Sequence, residues 1–388
     1  MVMPLKIMLV AAETSGDMLG ADLARALKVR AGEGAVSLSG IGGERMKAEG
    51  IDSPFDISEL SVLGWIEGLM AYGRVKKRVA DAVAHVREVR PDAVVLIDSW
   101  GFTIRVAKAI RAQMPEIRLI KYVGPQVWAS RPGRAATLAA SVDHLLALYP
   151  FDAPWFERQG LATTVVGSPA LHTDFSQADG AAFRAARAIA PDTPLLLVLP
   201  GSRRSEVLHL MPVFEQAVLR LKDRHPALQV AVLAAPGVEG EVRGRAAGWP
   251  LRTHIVTGED RRDAMKAAHA ALACSGTVST ELALAGVPMV IAYRLGALSY
   301  AIMKPLVTVE HITLFNLAAG RRIAPEFVQG EATPDALAGA VDALLSSPEA
   351  AAAQARAQSE ALKLMGKGER DPSDVAAEAV LALVTHRD

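Results

Sequence analysis

The chain reads as an α/β protein made of two doubly wound parallel sheets. Short apolar runs alternate with longer helix-forming stretches, the pattern of a parallel sheet covered on both faces. The alternation breaks over residues 167–193, where Pro169, His172, Gln177, Gly180 and Pro191 interrupt it, and then restarts. At 388 residues the chain is also long for a single core.

In the first half, residues 5–12 are apolar without alternation, as a strand buried on both faces requires. Ser15-Gly16-Asp17 then supplies capping residues for a helix reaching about residue 30. Residues 36–41 are a second strand, ended by Gly42-Gly43. Residues 62–90 read mostly as helix, first 62–79 and then a helix to Arg90. Strand 93–97 stops at Asp98, with a helix over about 103–113; strand 118–123 stops at Gly124-Pro125. Shorter strands follow at 144–149 and 163–166.

In the second half, 195–199, 229–233 and 254–257 are strands, with helices at 205–223 and 261–268. Apolar run 270–274 leads through Ser275-Gly276-Thr277 into helix 278–285, and Gly286 and Pro288 precede strand 289–293. Residues 333–364 are alanine-rich helix, and 373–383 form a last helix. Ligands bind doubly wound sheets beyond the carboxyl ends of the strands, so a cleft between the halves is the expected site.

Lysine plus arginine equals aspartate plus glutamate, at 42 each, which gives no reason to expect nucleic acid. The single cysteine, Cys274, excludes a disulfide framework and suits the cytoplasm. Glu13 and Asp17 follow the first apolar run at once, so it is a strand and not a secretion signal. No apolar run approaches the roughly 18 residues of a membrane span. A mean hydropathy of +0.23 nonetheless points to exposed apolar surface. The expectation is a soluble or peripheral protein.

Two loops at strand ends have the chemistry of anion sites. Pro200-Gly201-Ser202-Arg203 turns from strand to helix; Ser202 can cap, and Arg203 can hold a phosphate through two parallel hydrogen bonds. Ser275-Gly276-Thr277 opens directly into a helix, where orphan amides and the macrodipole favour negative charge, and Glu281 lies one turn along. Neither loop has the Walker lysine, and no G-x-G-x-x-G occurs, so a diphosphate attached to a nucleoside fits better than either nucleotide motif. In the first half Glu13 and Asp17 flank a helix start, where capping is the plain role, above all for Asp17. Asp98 ends an apolar strand; both a general base and a buried helix cap fit it. No metal motif is evident among the histidines and aspartates, so Arg203, amides and dipoles would have to stabilise a leaving diphosphate. Residues 62–79 join Leu63, Trp65, Ile66, Leu69 and Met70 to a basic end, Arg74, Lys76, Lys77 and Arg78. That composition suits acyl chains and anionic headgroups, and equally a core helix with a solvated end.

Taken in order, several pieces resemble the lipid-A-disaccharide synthase family. They are E-T-S-G-D-M-L-G-A-D-L at 13–23, G-I-G-G-E-R-M at 40–46, V-L-G-W-I-E-G-L at 62–69 and V-L-I-D-S at 95–99. Y-V-G-P-Q-V-W-A-S-R at 122–131, L-P-G-S-R-R-S-E-V at 199–207 and S-G-T-V-S-T-E-L-A-L at 275–284 continue the series. P-M-V-I-A-Y-R at 288–294, N-L-A-A-G-R at 316–321 and P-E-F-V-Q at 325–329 complete it. The resemblance covers nearly the whole chain. It implies a GT-B fold, two Rossmann-like domains facing across a cleft: residues 1–169 with a returning 366–388 on the acceptor side, and 170–365 on the donor side.

It further implies an inverting, metal-independent glycosyltransferase without a cofactor, working at the cytoplasmic face of the inner membrane. UDP-2,3-diacylglucosamine would be the donor and 2,3-diacylglucosamine 1-phosphate the acceptor, giving a β-1,6 disaccharide and UDP. On that pattern Gly201, Ser202, Arg203, Ser275, Gly276, Thr277, Glu281 and Asn316 match the donor side, with Glu281 against the ribose. Glu13, Ser15, Gly16, Asp17 and Asp98 match the acceptor and catalytic side, and 62–79 the acyl and membrane contact. The chain departs from the family pattern at Trp100-Gly101, where Pro-Asp is usual, which leaves Asp98 the only carboxylate of its loop. Ser130 replaces a second tryptophan, and Ala12 a common glycine. A same-fold UDP-sugar epimerase and a non-catalytic nucleotide- or lipid-binding relative are the alternatives.

Overall fold

The structure, a computed structural model, describes residues 3–32, 34–60, 65–296, 300, 309–368 and 370–385; for 65–72 it describes the backbone alone. The chain divides into two compact units, Met1–Pro169 with Gly368–Asp388, and Ala170–Lys367.

In the first unit β1 (Leu5–Val10), β2 (Val36–Ile41), β3 (Ala93–Ile97), β4 (Arg118–Tyr122), β5 (His144–Ala147) and β6 (Ala162–Val165) form one parallel sheet in the order β2-β1-β3-β4-β5-β6. The crossovers carry α1 (Thr14–Ala31), α2 (Glu44–Ala48), α3 (Trp65–Val89), α4 (Trp100–Gln113), α5 (Arg134–Ala139) and α6 (Ala153–Glu157). Alternate strand residues feed opposite faces, which is why these strands read as continuous apolar runs. Met8, Val10, Val94, Leu96 and Leu119 pack under Val86, Phe102, Val106 and Ile110 of α3 and α4. Ile7, Leu9, Val95, Ile97 and Ile120 pack under Leu23, Ala24 and Leu27 of α1.

The second unit repeats the plan with β7 (Leu195–Leu199), β8 (Gln229–Leu233), β9 (Thr253–Val256), β10 (Ala270–Cys274), β11 (Met289–Tyr293) and β12 (Glu326–Val328), ordered β12-β11-β10-β7-β8-β9. Its helices are α7 (Gly180–Ala186), α8 (Arg204–Arg224), α9 (Glu239–Ala246), α10 (Arg261–Ala267), α11 (Thr277–Ala285), α12 (Leu314–Ala319), α13 (Pro334–Ser346) and α14 (Pro348–Leu364). The last helix, α15 (Pro372–Thr385), belongs to the first unit, where Ala376, Ala377 and Val380 join the cluster under α1.

Some elements differ from the sequence reading for local reasons. The alanine-rich stretch is two helices, because the Ser347 side chain accepts from Ala350 N–H and Pro348 opens a new first turn. Residues 65–89 are one uninterrupted helix. The break contains α7, capped by Asp179. Among the described residues no helix is long and apolar enough to cross a membrane.

Candidate functional site

Each sheet reverses its winding once, between β1 and β3 in the first unit and between β7 and β10 in the second. There the following loops leave to opposite faces and open a crevice. All four loops singled out from the sequence, 13–17, 98–99, 200–203 and 275–277, stand at these two reversals.

In the second unit the crevice is a pocket of about 590 Å³, lined by Gly201, Ser202, Arg203, Ser275, Gly276, Thr277 and Glu281 among others. Gly201 turns the chain at φ 116, where a Cβ would lie 2.5 Å from Glu206 Oε2. The buried Glu206 carboxylate therefore reaches back to accept from the N–H groups of Ser202, at 3.0 Å, and Arg203, at 3.2 Å. Those two amides are thus occupied, and the loop presents the Arg203 guanidinium, whose side chain is 77% exposed. Across the pocket Gly276, at φ 154, begins α11; the Ser279 amide turns back to Gly276 O at 3.1 Å, while the Thr277 and Val278 amides ahead of it have no intrahelical acceptor. Ser275 Oγ donates to Ile312 O at 3.0 Å, tying this turn to the loop before α12.

Burial pushes the Glu281 carboxyl up, while Arg261 and Arg262 pull it down, and Arg261 is paired with it directly. Burial, with the Glu206 charge, pushes the Cys274 thiol at the pocket floor up to about 12 against Arg203, so it is an inert wall. Asn316 corrects the sequence expectation. It is fully buried; its amide donates to Ala324 O at 2.9 Å, and its carbonyl accepts from Ile323 and Ala324 N–H at 2.7 and 3.1 Å. Every polar atom of that side chain folds the loop after α12, and none faces the pocket.

In the first unit Ser15 Oγ donates to Asp98 Oδ2 at 3.0 Å, joining the two loops across the reversal. Glu13 is exposed at the start of α1 and makes no side-chain cap, while Gly16 is buried against Ala11 and Ile97. Asp98 is half-buried, with φ 48, and Ser99 follows at φ 37. Asp17 is the second correction. It is 4% exposed, and its carboxylate accepts from Gly43, Arg45 and Met46 N–H at 2.7, 2.9 and 3.0 Å. It caps α2 rather than its own helix, and three backbone amides hold it in the interior.

Of segment 62–79, Leu63 lies outside the described residues, and only the helical backbone of Trp65, Ile66, Leu69 and Met70 is described. Arg74, Lys76 and Lys77 are exposed. Arg78 is not available in the same way, since Glu59 and Asp81 both take its guanidinium and it lies over the Phe55 ring. Among the described residues no three His, Cys, Asp or Glu side chains gather as a metal site.

Three functional candidates escaped the sequence reading: Glu206, Arg261 and Lys121. The Ser202-x-x-x-Glu206 spacing hinted at the first, and a lone charge inside an apolar strand marked the last.

A family model described as lipid-A-disaccharide synthetase matches residues 7–380. The lipid-A-disaccharide synthase of Rhodospirillum centenum is 44% identical over 385 residues, covering 99% of this chain and 96% of that protein. That of Paramagnetospirillum magneticum is 42% identical over 380 residues, covering 97% of each. Among solved structures, S. aureus MnaA with UDP superposes with a TM-score of 0.64 at 14% identity, over 98% of this chain and 96% of that one. The glycotransferase of kitacinnamycin gives 0.61 at 17% identity, over 98% and 99%. These structures establish the fold as GT-B.

Proposed function

Because the chain belongs to the lipid-A-disaccharide synthetase family, its activity is glycosyl transfer that forms the lipid A disaccharide, and we propose which of its residues perform it. The donor, UDP-2,3-diacylglucosamine, binds in the pocket of the second unit. Its diphosphate lies between the Arg203 guanidinium and the amino end of α11, with Ser202, Ser275, Gly276 and Thr277 around it. Glu281, paired with Arg261, accepts from the ribose hydroxyls. The observation that supports this most is the convergence of an exposed arginine, a helix start and a carboxylate at one reversal of the sheet.

The first unit takes 2,3-diacylglucosamine 1-phosphate. The acceptor 6-hydroxyl oxygen bonds to the donor anomeric carbon as the bond from that carbon to the diphosphate oxygen breaks. The hydroxyl proton passes to the Asp98 carboxylate, and the electron pair departs with UDP, inverting the centre to β. Ser15 aims that carboxylate, and exposed Glu13 stands beside it in the acceptor loop. Arg203 and the α11 dipole stabilise the charge that grows on the leaving group. An epimerase uses the same fold, yet the family match over residues 7–380 favours transfer. Arg74, Lys76, Lys77 and the apolar residues before them meet the cytoplasmic face of the inner membrane, where both lipids reside.

Purified enzyme given both acylated sugars in EDTA should release UDP, and Asp98→Asn should slow that release by about 10²–10⁴-fold with donor affinity unchanged. Near-normal turnover of Asp98→Asn would remove Asp98 as the base. Release of UDP from the donor without acceptor, with no disaccharide formed, would overturn the transfer itself.

A further inference from the structure

Resting on the reading of Asp98 as the base, we propose that Lys121 is a positioning residue for the transfer, its buried ammonium fixing the turn that presents the Asp98 carboxylate. Lys121 is the fourth of the five residues of β4, 2% exposed, in register with Leu96 on one side and Leu145 on the other, both fully buried. A leucine or methionine would pack there as well, and an ammonium in a sheet centre is costly unless it finds partners. Its three donors find three acceptors, all at the β3–α4 junction: Leu96 O at 3.3 Å, Thr103 Oγ1 at 3.1 Å, and Asp98 O. The Thr103 hydroxyl lies 2.8 Å from that same Asp98 carbonyl and 3.0 Å from Ser99 O.

What these contacts hold is unusual backbone. Asp98 and Ser99 are consecutive residues at φ 48 and 37, and neither is glycine. Left-handed pairs of this kind persist only where the surroundings over-determine them, and they collect at functional sites. Here the ammonium grips the carbonyl of Asp98 from beneath the sheet, while Ser15 grips its carboxylate from the neighbouring loop. Burial lowers Lys121 to about 7, and the two groups that pull it back up are the carboxylates of Asp98 and Glu13. The lysine is buried, so it does not meet substrate itself, and its contacts run to the turn that carries Asp98.

The test is a kinetic cycle on the full chain, reading UDP release from the two acylated sugars for Lys121→Met, Asp98→Asn and the double variant. Lys121→Met should lower kcat by about 10–100-fold, leave both KM values within about two-fold, and add no further loss in the Asp98→Asn background. A general loosening of the fold would instead multiply with the Asp98→Asn loss, and that result overturns the proposal. So does a wild-type kcat in Lys121→Met. If Lys121→Met does not fold, as judged by circular dichroism and thermal melting, Thr103→Val takes its place. It removes the second group on the Asp98 carbonyl and should show a smaller kcat loss with the same lack of additivity; additive loss or none overturns the proposal. Failure of the underlying base reading is separate and visible in Asp98→Asn alone, as near-normal turnover.

Discussion

Arg203 and Glu206 divide the work of the turn after β7 between them. The carboxylate takes the two backbone amides, and the guanidinium, although 3.2 Å from that carboxylate, keeps most of its surface in solvent. An exposed ion pair is weak, so Arg203 exchanges Glu206 for a diphosphate at little cost. Arg203→Ala should therefore weaken UDP binding by about ten-fold, the worth of one charge-assisted contact at a half-solvated site, without altering the melting temperature. Calorimetric titration with UDP checks this, and unchanged affinity would take Arg203 off the diphosphate. Arg203 was legible because Pro200, Gly201 and Ser202 beside it spell a turn into a helix. Arg261 was not, since it meets Glu281 from twenty positions away, on a neighbouring helix. Asn316 misled for the opposite reason: a conspicuous polar side chain in a marked motif turns out to satisfy its own loop.

At the scale of elements, the strands were the readable part, because strands buried on both faces are apolar from end to end. Runs 270–274, 289–293 and 229–233 begin and end where β10, β11 and β8 do. Short helices hid, among them α2, whose five residues have no periodicity to show. It exists because Asp17, on a different helix, supplies the acceptor for three amides of its first turn. The family pattern groups Asp17 with Glu13 and Ser15 on the acceptor side, whereas its contacts are those of the buried cap that its residue type suggests. Asp17→Ala should strip three amides of their partner and cost about 2 kcal/mol of stability, at the upper end for a cap because the site is buried. Urea denaturation followed by circular dichroism measures it; a wild-type midpoint would return Asp17 to the acceptor side.

At the scale of the whole molecule, formal charge cancels, with 42 basic and 42 acidic residues. Any attraction to an anionic surface must then come from a local patch, not from the net field. Arg74, Lys76 and Lys77 are the exposed cations at the end of the apolar segment, and Arg78, bound to Glu59 and Asp81, adds nothing to them. Three cations near an anionic leaflet contribute about 1 kcal/mol each, which is marginal alone and sufficient only when apolar side chains insert beside them. Both halves of the segment should accordingly be needed. Wild-type protein should float with vesicles containing anionic lipid, less so as salt rises, and less again with neutral vesicles. Arg74→Glu, Lys76→Glu and Lys77→Glu together should abolish flotation, and so should Trp65→Ser with Met70→Ser. Reversing Arg78 to Glu should mainly lower stability, because it breaks two ion pairs instead of a headgroup contact. Wild-type protein that stays in the soluble fraction at low salt would remove the membrane from the function of this segment and leave acyl-chain binding as its remaining use.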